Sequence, residues 1–434
     1  MKPGLAARLA AVDLLEQVVD ARTPLDALTD PATGRNAYLR LPPRDRSLAR
    51  AIVTVTLRRR GALERGMKRF LDRPLPRKAR RLTHLMHVAA AQIVFMDAAD
   101  RAAIDLAVET AKTDPRTRRF ASLANAVLRR VAEAKGEIAA LPPDGGDVPL
   151  WLWKAWRSDH GREAALDIIA GLRDEPALDL TLKKLDVEKP EGRLLPNGTW
   201  RVAGERTAVA DLPGYDSGGW WVQDAAASLP AHLLGDVRGL TVLDACAAPG
   251  GKTAQLAARG AQVTALDRSA ERLERLQENL ARLKLGATIV ASDLLEADLP
   301  PFDAVLLDAP CSSLGTLRRH PDVVWTKTAD DVASLAVLQA QLLARALELV
   351  KPGGRLVFST CSTMKAEGEA LWQPFRVRKD VREDAIEPDE VFGLSAVTGQ
   401  GTLRTLPFHT FPGTPEAVAG GMDGFFAARC RRSL

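Results

Sequence analysis

The chain is poor in cysteine, tyrosine and histidine: its 434 residues include four Cys, two Tyr and six His. The four thiols, Cys246, Cys311, Cys361 and Cys430, are widely spaced and form no CxxC pair, which argues against both a disulfide scaffold and a zinc site. No apolar run approaches the roughly 18 residues that a membrane helix needs. The opening stretch MKPGLAARLAAVDLLEQVV reads as an amphipathic helix rather than a signal peptide. A cytoplasmic monomer without membrane contact or metal is therefore expected. Hydrophobic residues at 46% and charged residues at 26% fit globular folding, and the length suffices for two or three domains with separate cores.

Acidic charge is scarce in one region. Residues 1–140 hold 27 Lys and Arg against 15 Asp and Glu, a net +12, which leaves −7 for the rest of a chain whose formal charge is +5. Between Arg44 and Arg81 fourteen basic residues face three acidic ones, in RDRSLAR, TLRRRGALERGMKRFLDR and PRKARR. A solvated face kept for solubility is the bland explanation, but an excess this local suits a polyanion, whose phosphates it would hold through counterion release. Arg58, Arg59, Arg60, Arg80 and Arg81 are the candidate RNA contacts there. An arginine-rich helical surface reads phosphates and shape, so it does not specify which RNA is bound.

Apolar residues recur at three- and four-residue spacing over 4–19, 44–71, 78–97, 101–112 and 117–136, which predicts helices, and LPPDGGDVP (141–149) marks a break. A helix pair follows over 150–170, where three tryptophans in six positions suit packing better than base stacking. Short strands and glycine-rich turns run from 178 to about 225. From 240 the strand candidates TVLDA, QVTALD, TIVASD, FDAVLLD and RLVFST alternate with helical stretches; they are nearly all apolar, as in a sheet covered on both faces. The expectation is a multidomain chain: an all-α domain over 1–143, a small α+β linker and RNA-positioning module over 144–225, and a doubly wound α/β domain over 226–434. KPGG (351–354) is expected as the turn between the long helix and the last of these strands.

In such a sheet the ligand lies beyond the carboxyl ends of the strands. Asp244, Asp267 and Asp293 end three successive strand candidates there. The loop of Cys246, Ala247, Ala248, Pro249, Gly250, Gly251 and Lys252 allows close backbone approach, yet matches neither GxGxxG nor GxxxxGK[ST]. Asp267 is placed to accept ribose hydroxyls and Asp293 an adenine amine, while Asp244 holds the loop or reaches the ligand's amine through water. An adenosine ligand without phosphates suggests S-adenosylmethionine.

The fourth strand delivers Asp308-Ala309-Pro310-Cys311 and the fifth Thr360-Cys361. If these strands are neighbours, both thiols and Asp308 emerge at one edge. Cytosine C5 is too weak a nucleophile to take a methyl unaided, whereas a thiolate adding to C6 makes it one. Asp308, protonated, would hydrogen-bond N3, and a second thiol would act as base or as trigger for release. The residues leave open which cysteine attacks.

These motifs, QDAAASL (223–229), DACAAPGGKT (244–253), DAPCSSLGTLRRHPDVVW (308–325), KPGG, STCS (359–362) and DGFFAAR (423–429), resemble the Sun/Fmu-type bacterial ribosomal RNA cytosine-C5 methyltransferases over nearly the whole chain. The resemblance implies a NusB-like helical domain, a nucleophilic Cys361, product release by Cys311, and cofactor contacts from residues 246–252, Asp267, Asp293 and Asp308. It further implies a cytosine of 16S ribosomal RNA as substrate, in unassembled or partly assembled small-subunit RNA; transfer RNA, or a non-catalytic assembly role, is the alternative. Arg318, Arg319 and His320, just past Cys311, are further candidate RNA contacts. One departure stands out. Where the family shows Glu-Asn-Glu, this chain has Glu367-Gly368-Glu369, so a side-chain contact near the site is lost or replaced by backbone.

Overall fold

The computed structural model describes residues 4–76, 79–96, 98–204, 207–414 and 420–434. They divide into two compact units, 1–174 with 320–328, and 175–319 with 329–434. No helix among the described residues is long and apolar enough to cross a membrane.

The first unit is helical. Helices α1 (Leu5–Val19), α2 (Pro43–Lys68), α3 (Arg80–Phe95), α4 (Asp100–Thr113) and α5 (Ala121–Glu133) surround one core that includes Leu14, Leu15, Ile52, Leu57, Leu63, Leu82 and Met86. Pro43 at the first position of α2 removes a donor that would have had no partner, and Arg65 and Lys68 in its last turn face the carbonyl end. Positions 78 and 97, the expected limits of the third helix, lie outside the described residues, as does Arg77.

The helices α6 (Leu150–His160) and α7 (Arg162–Arg173) belong to this unit, although the sequence break suggested a boundary before them. The reason is hydrogen bonding across the break. Arg58 of α2 donates to the carbonyls of Leu172 at 3.2 Å and Asp174 at 2.9 Å, and buried Arg173 pairs with buried Asp147. Trp156 is fully buried, so at least that tryptophan serves packing.

The arginines chosen from the charge count are corrected here. Arg58 is buried and its guanidinium is taken by backbone carbonyls. Arg81 is enclosed by Asp13, Glu16 and Asp114 at 2.5–2.6 Å. Arg59 lies over the Phe95 ring and half-buried Arg60 over the Trp325 ring, at 4.9 and 4.7 Å. Only Arg80 of these five is well exposed, 3.7 Å from Asp20. His320 is partly exposed and lies 3.2 Å from Asp26, whose carboxyl it holds well below the usual range.

The described residues of the second unit form two sheets. Strands β1 (Asp179–Leu182), β2 (Gly192–Leu194), β3 (Thr199–Val202) and β4 (Trp220–Val222) form an antiparallel sheet in the order β2-β3-β1-β4. Its β1 and β3 are joined by the buried pair Asp179–Arg201. The larger sheet contains β5 (Thr241–Ala245), β6 (Gln262–Asp267), β7 (Thr288–Ala291), β8 (Phe302–Asp308), β9 (Val350–Thr360), β10 (Val381–Glu383), β11 (Leu403–Thr405) and β12 (Phe425–Arg432). Its order is β10-β12-β9-β8-β5-β6-β7, with β11 beside β12. Strands β5 to β9 run parallel, and β12 joins β9 antiparallel.

The connecting helices are α8 (Ala225–His232), α9 (Gly251–Ala258), α10 (Ala270–Leu283), α11 (Ala329–Glu348) and α12 (Glu369–Arg376). Leu243, Ala245, Val305, Leu307, Leu356 and Phe358 are essentially solvent-free, as expected of strands covered on both faces. Full burial of a leucine or phenylalanine contributes about 1.5–3 kcal/mol. KPGG is not a turn ahead of the strand. It lies inside β9, where the pairing with β8 jumps from Phe302↔Val350 to Ala304↔Arg355, so the extra residues are absorbed as a bulge.

Candidate active site

Because β8 and β9 are parallel neighbours with Asp308 opposite Ser359, the loops that follow them leave the sheet side by side. The sulfurs of Cys311 and Cys361, just past the two strand ends, lie 3.3 Å apart. Ser313 Oγ is 3.7 Å from the Cys361 sulfur. The backbone is packed too tightly here for a side chain at 315: the Gly315 N–H donates to the Cys361 carbonyl at 3.0 Å, and a Cβ would sit 1.8 Å from the Gly424 carbonyl oxygen.

The two thiols are electrostatically unequal. A hydrogen bond from Cys311, supported by Ser313 and by the charge of Lys252, holds the Cys361 thiol below the ordinary value despite its burial. That same bond, together with burial and the negative charge of Glu367, pushes Cys311 up. A lowered value means that Cys361 keeps its thiolate as the pH falls below the usual thiol range. Alkylation by iodoacetamide, followed site by site by mass spectrometry, is expected to label Cys361 at lower pH than an ordinary thiol. In C311A the midpoint moves upward, because the main stabilising donor is gone. An unmoved midpoint would show that Cys311 is not that donor.

Asp308 ends β8 with both oxygens occupied. Lys252 Nζ donates to Oδ2 at 2.7 Å and Ser359 Oγ to Oδ1 at 2.9 Å. Asp308 is thus an acceptor twice over, and the proton donor of the pair is the Lys252 ammonium, which also lies 5.1 Å from the Phe425 ring centre. This differs from the expectation that a protonated Asp308 faces the base. Lys252 was assigned to the cofactor loop alone, yet it is the first full turn of α9 that directs its side chain back over the sheet edge. An ammonium opposite a strand-end carboxylate was the available signal.

A cleft beside β6 and β7 is lined on its apolar side by Leu266, Leu294, Pro310, Leu338 and Leu342, and on its polar side by Cys246, Asp267, Arg268, Arg272, Ser292 and Asp293. Buried Asp267 accepts from the Ala248 N–H at 3.1 Å and the Ser269 N–H at 3.0 Å, so it shapes the loop as well as facing the cleft. Asp293 accepts from Leu295 N–H at 2.9 Å. Arg272 is engaged with the Ala248 carbonyl. A cleft lined by leucines and by the carboxylates of Asp267 and Asp293 suits a nucleoside without phosphates. Asp244 takes the structural position: it is fully buried, accepts from Thr253 Oγ1 at 2.6 Å, and desolvation raises it to about 7. Burial also pushes the thiols of Cys246 and Cys430 up to about 12, which makes both inert.

Two candidate RNA contacts are corrected. Arg318 is buried and donates to the Gly420 carbonyl, and Arg319 is paired with Asp423, so neither guanidinium is free to meet a phosphate as placed. Gly368 is also explained. A Cβ there would meet Arg404 Nη2 at 2.5 Å and the Phe426 ring at 2.7 Å. Arg404 fills the space instead, donating to both Glu369 oxygens and to the Ser362 carbonyl beside Cys361. A side chain at 368 would thus compete with an arginine 36 positions on.

Residues 231–431 match the family described as 16S rRNA methyltransferase RsmB/F, and residues 5–133 match the NusB family. The chain is similar to ribosomal RNA small subunit methyltransferase B of Xanthomonas campestris, at 36% identity over 98% of this chain and 97% of the relative. The corresponding protein of Xylella fastidiosa is 35% identical over the full length of both. Among solved structures, PH0851 superposes with a TM-score of 0.68 at 21% identity, covering 100% of this chain and 99% of its own. NSun6 from Pyrococcus horikoshii with SFG gives 0.54 at 19% identity, over 66% and 98%. Both support the fold.

Proposed function

Since the chain belongs to the RsmB/F family of 16S rRNA methyltransferases and carries a NusB domain, we propose that it methylates C5 of a cytosine in 16S ribosomal RNA through a covalent thiol adduct, with S-adenosylmethionine as methyl donor. The observation that supports this most strongly is the pair of sulfurs 3.3 Å apart next to the Lys252–Asp308 pair. One thiol would suffice for a nucleophile; two in contact suit a reaction in which a bond to the enzyme must be both made and broken.

When bound, S-adenosylmethionine supplies an electrophilic methyl group on a sulfonium. Asp267, Asp293 and the loop at 246–251 would hold its nucleoside end. The Cys361 thiolate adds to C6, forming the S–C6 bond and moving an electron pair toward C5 and N3. Lys252, oriented by Asp308, stabilises the charge that develops on the pyrimidine edge. After C5 has gained its methyl group, its proton must leave and the S–C6 bond must break, which returns the electron pair to Cys361. Cys311, held nearly in contact, assists that second half as base or as trigger.

The target base must leave its stack before C6 can be reached, at a cost of roughly a few kcal/mol, least where the RNA is unpaired. Naked or partly assembled 16S RNA is therefore expected to be a better substrate than a finished subunit. Bisulfite mapping of 5-methylcytidine in total RNA, with and without the gene, tests reaction, RNA class and site together. Loss of one 16S position supports the reading. Loss only in transfer RNA, or no loss, refutes it.

A further inference from the structure

Next to the two cysteine loops lies a buried carboxylate that the mechanism above does not use. Glu367 is fully buried, as are Ser312, Ser362 and Gln339 around it. Its Oε1 accepts from the Ser312 N–H at 2.7 Å and from Gln339 Nε2 at 3.2 Å. Its Oε2 accepts from the hydroxyls of Ser312 and Ser362, each at 2.5 Å. Ser312 follows Cys311 and Ser362 follows Cys361. Gln339 also donates to the Pro310 carbonyl at 2.9 Å, which ties the residue before Cys311 to the same cluster from α11. One side chain thus grips both cysteine loops, and every group around it donates.

We propose that Glu367 is a positioning residue for product release: it ties the loop after β8 to the loop after β9 and so fixes the separation of the two sulfurs. Two loops from different strands have no covalent reason to keep their sulfurs 3.3 Å apart; the Gly315 N–H bond to the Cys361 carbonyl joins them through the backbone, and Ser312 and Ser362 meet in an Oγ–Oγ contact of 3.3 Å. A buried carboxylate with four donors is costly to leave half-satisfied, so it resists any movement that separates them. The chemistry of the two oxygens differs. Those donating to Oε1 are fixed N–H groups, whereas those donating to Oε2 are hydroxyls that rotate. A glutamine with its amide nitrogen at the Oε2 position keeps the Oε1 bonds, so E367Q retains most of the clamp and E367A loses it.

The proposal rests on the covalent reading of the site, but its test can be run without RNA. Diamide oxidises two neighbouring thiols to a disulfide and itself takes up the two protons and two electrons as the hydrazine. Mass spectrometry of the full-length protein reads the Cys311–Cys361 cross-link and its rate. E367A is expected to cross-link about tenfold or more slowly than the unsubstituted protein, and E367Q within about threefold of it, since displacements near 1 Å are enough to change such rates strongly. With RNA and S-adenosylmethionine, E367A accumulates the covalent protein–RNA adduct, whereas a purely structural role would lower the melting temperature and leave the cross-linking rate of the folded protein alone. If E367A does not fold, the double variant S312A/S362A, which removes the rotating donors, carries the same expectation. Cross-linking and adduct turnover both within about twofold of the unsubstituted protein would overturn the proposal. Failure of the methyltransferase reading would leave the cross-linking result untouched.

Discussion

Replacing Cys361 with alanine is expected to reduce methyl transfer by on the order of 10³ or more and to leave no covalent RNA–protein adduct, while C311A loses turnover but accumulates the adduct. The asymmetry follows from the surroundings of the two sulfurs. Cys361 receives a hydrogen bond, a nearby hydroxyl and the field of Lys252, all of which favour its thiolate; the same hydrogen bond, burial and the negative charge of Glu367 push Cys311 up. The thiol held lower is therefore the one expected to attack. Denaturing gels of RNA-incubated protein distinguish the species directly by their retarded mobility. If C361A trapped the adduct and C311A did not, the roles would be reversed and the electrostatic ordering would have misjudged the attacking group.

The second large effect is expected at Lys252. K252M keeps the length and packing of the side chain but removes the ammonium that lies 2.7 Å from Asp308, so kcat should fall by about 10²–10³ while affinity for S-adenosylmethionine changes only a few-fold. Asp308, left without its cation in a partly buried position, gains no compensating donor beyond Ser359. Single-turnover methylation and calorimetry of cofactor binding separate the two effects. A variant that binds the cofactor weakly yet reacts at the normal rate would return Lys252 to the cofactor loop and remove it from the chemistry.

Much of the catalytic unit was legible because its signals are local. Five apolar strand runs, the aspartates at their ends and the two cysteine motifs mark the edge of the parallel sheet, and the adjacency of β8 and β9 follows from a single helical crossover. The arginines were less legible. A charge count weighs every arginine equally, but Arg60 falls in helical phase with Ile52, Val53, Thr56, Leu57, Leu63 and Met67, and that phase predicts a position against the core rather than in solvent. Arg58 is spent on carbonyls more than a hundred residues away, for which no local pattern exists. Glu367 was visible only as half of a departed motif. Its importance arises from donors contributed by three separate segments, and only the folded chain brings those together.

The strand that borders β9 on its far side is β12, which pairs with Thr360 through Phe426 and comes later in the chain than both cysteines. The two residues just before it, Asp423 and Gly424, close against Arg319 and Gly315 beside the thiols. Order of synthesis therefore matters to chemistry. A ribosome that has made everything through Cys361 has produced both sulfurs and the cofactor loop, but the edge of β9 is bare and the turn at Gly315 lacks its backing. A segment translated well after both sulfurs completes their surroundings, so a chain interrupted before β12 is expected to carry the reactive groups without the backing that fixes them.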